Sequence, residues 1–171
     1  MTETEKKIIN EFYFGRMSRD ELLRQYPVDL KKDKKHIYLA VRTAFEHRDS
    51  QELSFALALI VFDPSIVNTE EFVELLCLLL REKWHPEHEN IATILQAIKS
   101  PKSVDALYDA ALTEFDSIAY METYSLARKC IHALGDINTE YSKEKLQLLA
   151  QSNIPIIKEK AVKQLNSLNH S

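Results

Sequence analysis

The residues best equipped for chemistry crowd into one stretch, Arg81-Glu-Lys-Trp-His-Pro-Glu-His-Glu-Asn-Ile-Ala92. It holds the only tryptophan, Trp84, and two of the six histidines, His85 and His88. Two imidazoles at His85-x-x-His88 could support a metal if a helix carried both. Three features oppose that: the pattern is not His-Glu-x-x-His, no third ligand is evident, and Pro86 marks a helix start that can leave His85 outside the helix. Glu82-x-x-His85 is half of a di-iron carboxylate signature, but the second Glu-x-x-His that such a site needs is missing from the chain. No metal and no cofactor are expected. Trp84, His85 and His88 read instead as structural residues that pack in the turn between two helices and fix their angle.

Nucleophilic catalysis has no better footing. Cys77 and Cys130 each sit inside an apolar helical pattern, with nothing beside them to lower a thiol pKa. Cys130 is read as structural, and buried reduced thiols fit a reducing cytoplasm. The two glycines, Gly15 and Gly135, stand too far apart for a Gly-x-Ser-x-Gly elbow or a Gly-rich phosphate loop. Carboxylate pairs on helices are explained by solvated faces. Tyr108, Tyr120 and Tyr124 cluster about one helix connection, where a partner-facing set and a core or rim role are both open. An enzyme is not expected.

The elements that position these residues are helices. The 171 residues include only two glycines and five prolines, and 45% are hydrophobic against 28% charged. That composition is globular, with long regular elements rich in Leu, Ala, Glu and Lys. The polar N-terminus leads into no apolar signal region, and no apolar run is long enough to cross a bilayer, so a cytoplasmic protein away from the membrane is expected. Charge is uneven. Residues 1–50 carry 11 basic and 9 acidic groups, residues 51–120 carry 4 and 12, and residues 121–171 carry 7 and 5. A middle at −8 repels phosphate backbones and attracts basic proteins, which argues against nucleic-acid binding.

Periodicity predicts ten helices. The first places Ile8, Ile9, Phe12 and Tyr13 on one face, and Ser18-x-x-Glu21 is a capping box for the second. Lys31–His36 is a basic run opening the third. Asp49-x-x-Glu52 caps the fourth, whose near-continuous apolar run marks it as central core. Asn68 caps the fifth, with its stripe of Phe72, Leu75, Leu76, Leu79 and Leu80. The sixth opens with Pro86 in its first turn and buries Ile91, Ile94, Leu95 and Ile98. The seventh carries Val104, Leu107, Tyr108 and Leu112. The eighth runs from about Met121 to Leu134 with Gly135 just past its end. The ninth buries Leu146, Leu149 and Ala150, and the tenth buries Ile157, Ala161, Val162 and Leu165.

Helices six, eight and ten superpose as a repeat. Ile94-x-x-x-Ile98, Cys130-x-x-x-Leu134 and Ala161-x-x-x-Leu165 follow at offsets of 36 and 31 residues, with a second Leu-rich helix between each. The stretch Leu126-Ala-Arg-Lys-Cys-Ile-His-Ala-Leu-Gly-Asp-Ile137 resembles the second helix of a HEAT repeat. The expected fold is all-α: a right-handed, HEAT-like α-solenoid of about five antiparallel helix pairs, with an irregular bundle as the other arrangement the pattern allows. It is read as a single helical-repeat domain over 1–171, less regular in 1–67, HEAT-like in 68–168 and frayed in 169–171.

Three segments, Tyr13–Leu23, Trp84–Ala92 and Ala127–Leu134, look like those of small bacterial HEAT-repeat immunity proteins, the antidotes of contact-dependent growth inhibition and other polymorphic toxin systems. The resemblance implies one-to-one binding of a cognate toxin domain, often a nuclease, without catalysis. A cationic nuclease would be drawn to an acidic partner. If helices four, six, eight and ten line the concave side, candidate contacts are Glu87, Asn90, Thr93, Gln96, Glu122, Tyr124 and His132. Glu71, Glu74, Asp105 and Asp109 join them from the acidic middle. A general interaction scaffold without a toxin partner is the alternative.

Overall fold

The computed structural model describes residues 1–30, 32–64, 69–113 and 124–168. Among them are ten α-helices and no strand, so the chain is all-α. The helices are α1 (Glu3–Tyr13), α2 (Arg19–Gln25), α3 (Lys34–His47), α4 (Ser50–Phe62), α5 (Glu70–Arg81), α6 (His88–Ile98), α7 (Val104–Leu112), α8 (Ser125–Ile137), α9 (Glu140–Leu149) and α10 (Pro155–Leu168). A 3₁₀ turn at Pro101–Ser103 leads into α7. Two compact units divide the chain: Met1–Phe72 with Trp84–Glu87, and Val73–Lys83 with His88–Ser171.

In the first unit α1 packs on α2 and α4, and α3 packs on α4. The apolar run of α4 buries Leu53, Ala56, Leu57, Leu59 and Ile60, as a helix apolar on most sides must. Against it lie Ile9 from α1 and Ile37, Val41 and Ala44 from α3. Starts are fixed by side chains. Thr2 with Glu5, and Ser18 with Glu21, form reciprocal capping boxes on α1 and α2. Asp49 caps α4 by accepting from the Gln51 and Glu52 amides at 3.0 Å. The expected reciprocal half is missing there, because Glu52 turns instead to Lys6 and the Met1 amine. Tyr13, expected to be buried, is 69% exposed, since the core face of α1 ends at Ile9 and Phe12 is only half-buried.

In the second unit α6 and α7 pack on α8, α9 packs on α7, α8 and α10, and α10 packs on α8. Its core is apolar: Leu76, Leu79, Ile91, Ile94, Leu95, Leu107, Ile131, Leu134 and Leu146 are buried. Two boundary expectations need correction. Pro86 lies in the turn before α6, which starts at His88. Gly135 is not a terminal cap: α8 continues to Ile137, and Asn138 takes the left-handed conformation at φ 52°. Gly135 serves packing instead, because a Cβ there would stand 2.0 Å from the Gln164 amide nitrogen on α10. In burial rather than boundary, Val162, expected inside, is exposed, as is Leu112 of α7. The Asn68 cap and the Met121 start lie outside the described residues.

Candidate functional site

The second unit joins its helices by polar pairs at constant sequence offsets. Between α5 and the continuous segment of the 3₁₀ turn and α7, Lys102 of the turn donates to Glu74 at 3.2 Å and Arg81 to Asp109 of α7 at 3.2 Å, both 28 residues apart. The equal offset means that the two helices run in the same direction. Between α6 and α8, Ser125 donates to Glu89 and Lys129 to Thr93 (3.2 Å), both at 36 residues. Gln96 donates to Asp136 at 2.7 Å, and Lys129 pairs with Glu89 at 3.7 Å, each at 40 residues, one helical turn further. Between α7 and α9, the Tyr141 hydroxyl donates to Asp105 at 2.6 Å and Lys145 pairs with the same oxygen at 2.9 Å. The offset of 36 read from the apolar positions of helices six and eight therefore recurs in their polar contacts. For α8 and α10 the close approach of Gly135 and Gln164 falls at 29 rather than 31.

The expected contact residues separate into two sets. Asn90, Thr93, Gln96 and His132 lie on α6 and α8, with Asn90 and His132 exposed and Thr93 and Gln96 half-buried in the pairs just described. Glu74, Asp105 and Asp109 lie on α5 and α7, exposed and each already holding a cation of this chain. Glu71 is an exposed residue of α5 in the first unit. The Glu87 carboxylate, another candidate contact, accepts the Ser54 hydroxyl of α4 at 2.5 Å. Tyr124 is half-buried before α8 in the left-handed region, φ 47°. Glu122 and Tyr120 lie outside the described residues.

The Trp84 stretch is held by backbone chemistry. His85 is 4% exposed, and its Nδ1 accepts the Glu87 amide at 3.1 Å, closing the turn. That assigns the Nε2–H tautomer to a neutral ring. The Trp84 and His85 rings meet edge to face at 4.7 Å. The indole Nε1 is buried with no acceptor among the described residues. His88, 6% exposed, donates Nε2–H to the Glu82 carbonyl at 2.5 Å, capping an otherwise open end of the α5 backbone. Among the described residues no group of three His, Cys, Asp or Glu is arranged to hold a metal ion. Burial pushes the Cys77 thiol up to about 11 and raises that of Cys130 further, so both are poor nucleophiles at neutral pH.

Two arrangements escape sequence reasoning. On α7 and α9 the Lys145 ammonium lies over the Tyr108 ring at 4.7 Å and the Tyr141 ring at 5.1 Å, with Asp105 as counter-ion. The Tyr141 and Lys145 hydrogen bonds hold the Asp105 carboxyl below its usual range, and Asp105 raises Lys145 in turn. A search for donor–acceptor pairs at the 36-residue offset would have found Asp105 and Tyr141, and one for opposite charges at 40 would have found Asp105 and Lys145. In the first unit Glu5, 2% exposed, accepts Tyr26 Oη at 3.1 Å and His36 Nε2 at 2.6 Å, and also the Thr2 amide at 2.6 Å. Burial pushes its carboxyl up, but the hydrogen bonds from Thr2, His36 and Tyr26 outweigh it and hold the group below the carboxylate range. No short motif links those four residues.

Compared with models of protein families, with curated proteins and with solved structures, the chain matches none. Among the described residues no helix is long and apolar enough to cross a membrane.

Proposed function

We propose that this chain is an immunity protein, built as a right-handed HEAT-like α-solenoid of about five antiparallel helix pairs. It binds and neutralises a cognate toxin domain, a cationic protein of the nuclease kind, without catalysis and in the cytoplasm. The observation that carries the reading is the pair of constant offsets, 28 residues between α5 and α7 and 36 between α6 and α8. Same-direction stacking of alternate helices is how a helical repeat spreads one continuous surface over several helices. Asn90, Thr93, Gln96 and His132 share one such surface, and Glu74, Asp105 and Asp109 share the other.

The buried, backbone-bonded state of His85 and His88 supports assigning them to the fold rather than to recognition. His88→Ala then leaves binding largely intact. The reading is tested by co-expressing the chain with the product of the gene immediately upstream. A complex that co-purifies at low salt and restores growth is expected. Failure to form that complex at low salt overturns the toxin reading. Capture of several unrelated proteins in place of one would identify a general interaction scaffold.

A further inference from the structure

We propose that Asp105, Tyr108 and Tyr141 form a receiving site for an arginine side chain of the protein partner, and that Lys145 is an internal occupant which the partner displaces. The proposal deepens the binding reading by naming the group recognised. Two aromatic faces and a carboxylate around one cation make up the kind of site that selects cationic side chains. Here the elements are complete: both rings lie within 5.1 Å of the Lys145 ammonium, and the carboxylate pairs with it at 2.9 Å.

The site is also accessible. The Asp105 side chain is 55% exposed, and Tyr141 is 46% exposed. Tyr141 and Lys145 both bond to Oδ1 of Asp105, and Oδ2 has no hydrogen-bond donor among the described residues. A guanidinium can use both carboxylate oxygens in a fork and lay its plane on a tyrosine ring, whereas a lysine ammonium acts as a point charge. Arginine is therefore the better occupant, and the displaced ammonium is a strongly hydrated group that returns readily to water. Seven residues further along each helix stand Leu112 and Leu148, both exposed. A partner that presents an arginine with an apolar side chain about 10 Å away matches this face.

The test uses capped arginine (N-acetyl-arginine amide) as the probe and the Tyr108 and Tyr141 ring resonances as the readout. An occupied site weakens apparent affinity by the fraction of time it is open. Lys145→Met, which keeps the stem and removes the charge, should bind the probe about ten-fold more tightly than the parent chain. Asp105→Asn should abolish binding in either background, and capped citrulline, the neutral isostere, should bind neither. Thermal melts followed by circular dichroism verify that each variant is folded, and Lys145→Ala serves if the Met variant is not. Equal affinity of the Lys145 variant and the parent, or equal binding of citrulline, would reduce the cluster to a strut between helices and overturn the proposal. Because the probe is a small molecule, that outcome is separate from co-purification with the upstream product. A complex that forms normally with Asp105→Asn overturns the site alone.

Discussion

The two units place their main polar clusters differently. The first buries them: Glu5 sits in its interior and draws together Thr2, Tyr26 and His36 from three parts of the chain. Among the described residues the second buries no carboxylate, and its cross-helix polar pairs, exposed or half-buried, recur at fixed offsets between stacked helices. A buried carboxylate whose four lone-pair directions are used specifies one arrangement and penalises any other. Exposed pairs contribute little to stability, so their composition can follow a partner rather than the fold. The difference separates residues that hold a structure from residues free to do something else.

The comparison first predicts where damage is greatest. Leu107→Ala removes a fully buried side chain from the second unit's core and should cost about 4 kcal/mol, measured as the loss in urea midpoint at unchanged slope. A loss below about 1 kcal/mol would mean that this core is loosely packed, and the contrast with the first unit would weaken. Glu5→Gln comes next, at about 3 kcal/mol, because it breaks a buried charged network and leaves its partners uncompensated. This variant also carries a pH signature. The folded Glu5 carboxyl titrates below its unfolded value. Its stabilisation is thus complete above the unfolded carboxylate range, near about 4.3, and disappears as pH falls through the folded value. Stability of the parent chain should fall from about pH 5 to pH 3, and Glu5→Gln should flatten part of that fall. An unchanged acid limb would contradict the burial of charge in the first unit.

Much of the second unit was legible in the sequence, and little of the first unit's polar centre was. Apolar periodicity reveals a helix that buries one stripe, and Phe72, Leu75, Leu76, Leu79 and Leu80 of α5 are all buried. The capping box at Ser18 was equally plain, being a contact three residues long. Gly135 was misjudged because a glycine near a helix end signals a C-cap, whereas here the Gln164 side chain of a neighbouring helix occupies the place of the missing Cβ. The Thr2-x-x-Glu5 capping box was as legible as the one at Ser18, but the other two partners of Glu5 lie 21 and 31 residues away, in no periodic relation. Of the candidate contact residues, the acids of α5 and α7 were chosen for charge alone. Sequence could not say that Glu74, Asp105 and Asp109 each already pair with a lysine or arginine from another element.

Gly135→Ala sets two effects of similar size against each other. Alanine favours the helix interior by up to about 1 kcal/mol over glycine. The added Cβ would stand 2.6 Å or less from three atoms of the Gln164 side chain, which must turn aside. The net change should stay within about 1 kcal/mol, and Gln164→Ala should shift it towards stabilisation. If Gly135→Ala remains destabilising without the glutamine, the close approach involves the α10 backbone and not a movable side chain.

The smallest effect bears most directly on the comparison. Arg81 and Asp109 bridge α5 and α7 with side chains 49% and 53% exposed. A double-mutant cycle with Arg81→Ala and Asp109→Ala should give a coupling below about 0.5 kcal/mol, declining further in salt. A coupling well above about 1 kcal/mol would make this face part of what holds the second unit together. A small one means that Asp109 can exchange its arginine for a partner's cation at little cost to the fold. Glu74 holds Lys102 with side chains similarly exposed, so the cycle also indicates how readily that acid can be released, whereas Asp105, whose Lys145 is covered by two tyrosine rings, answers only to its own test.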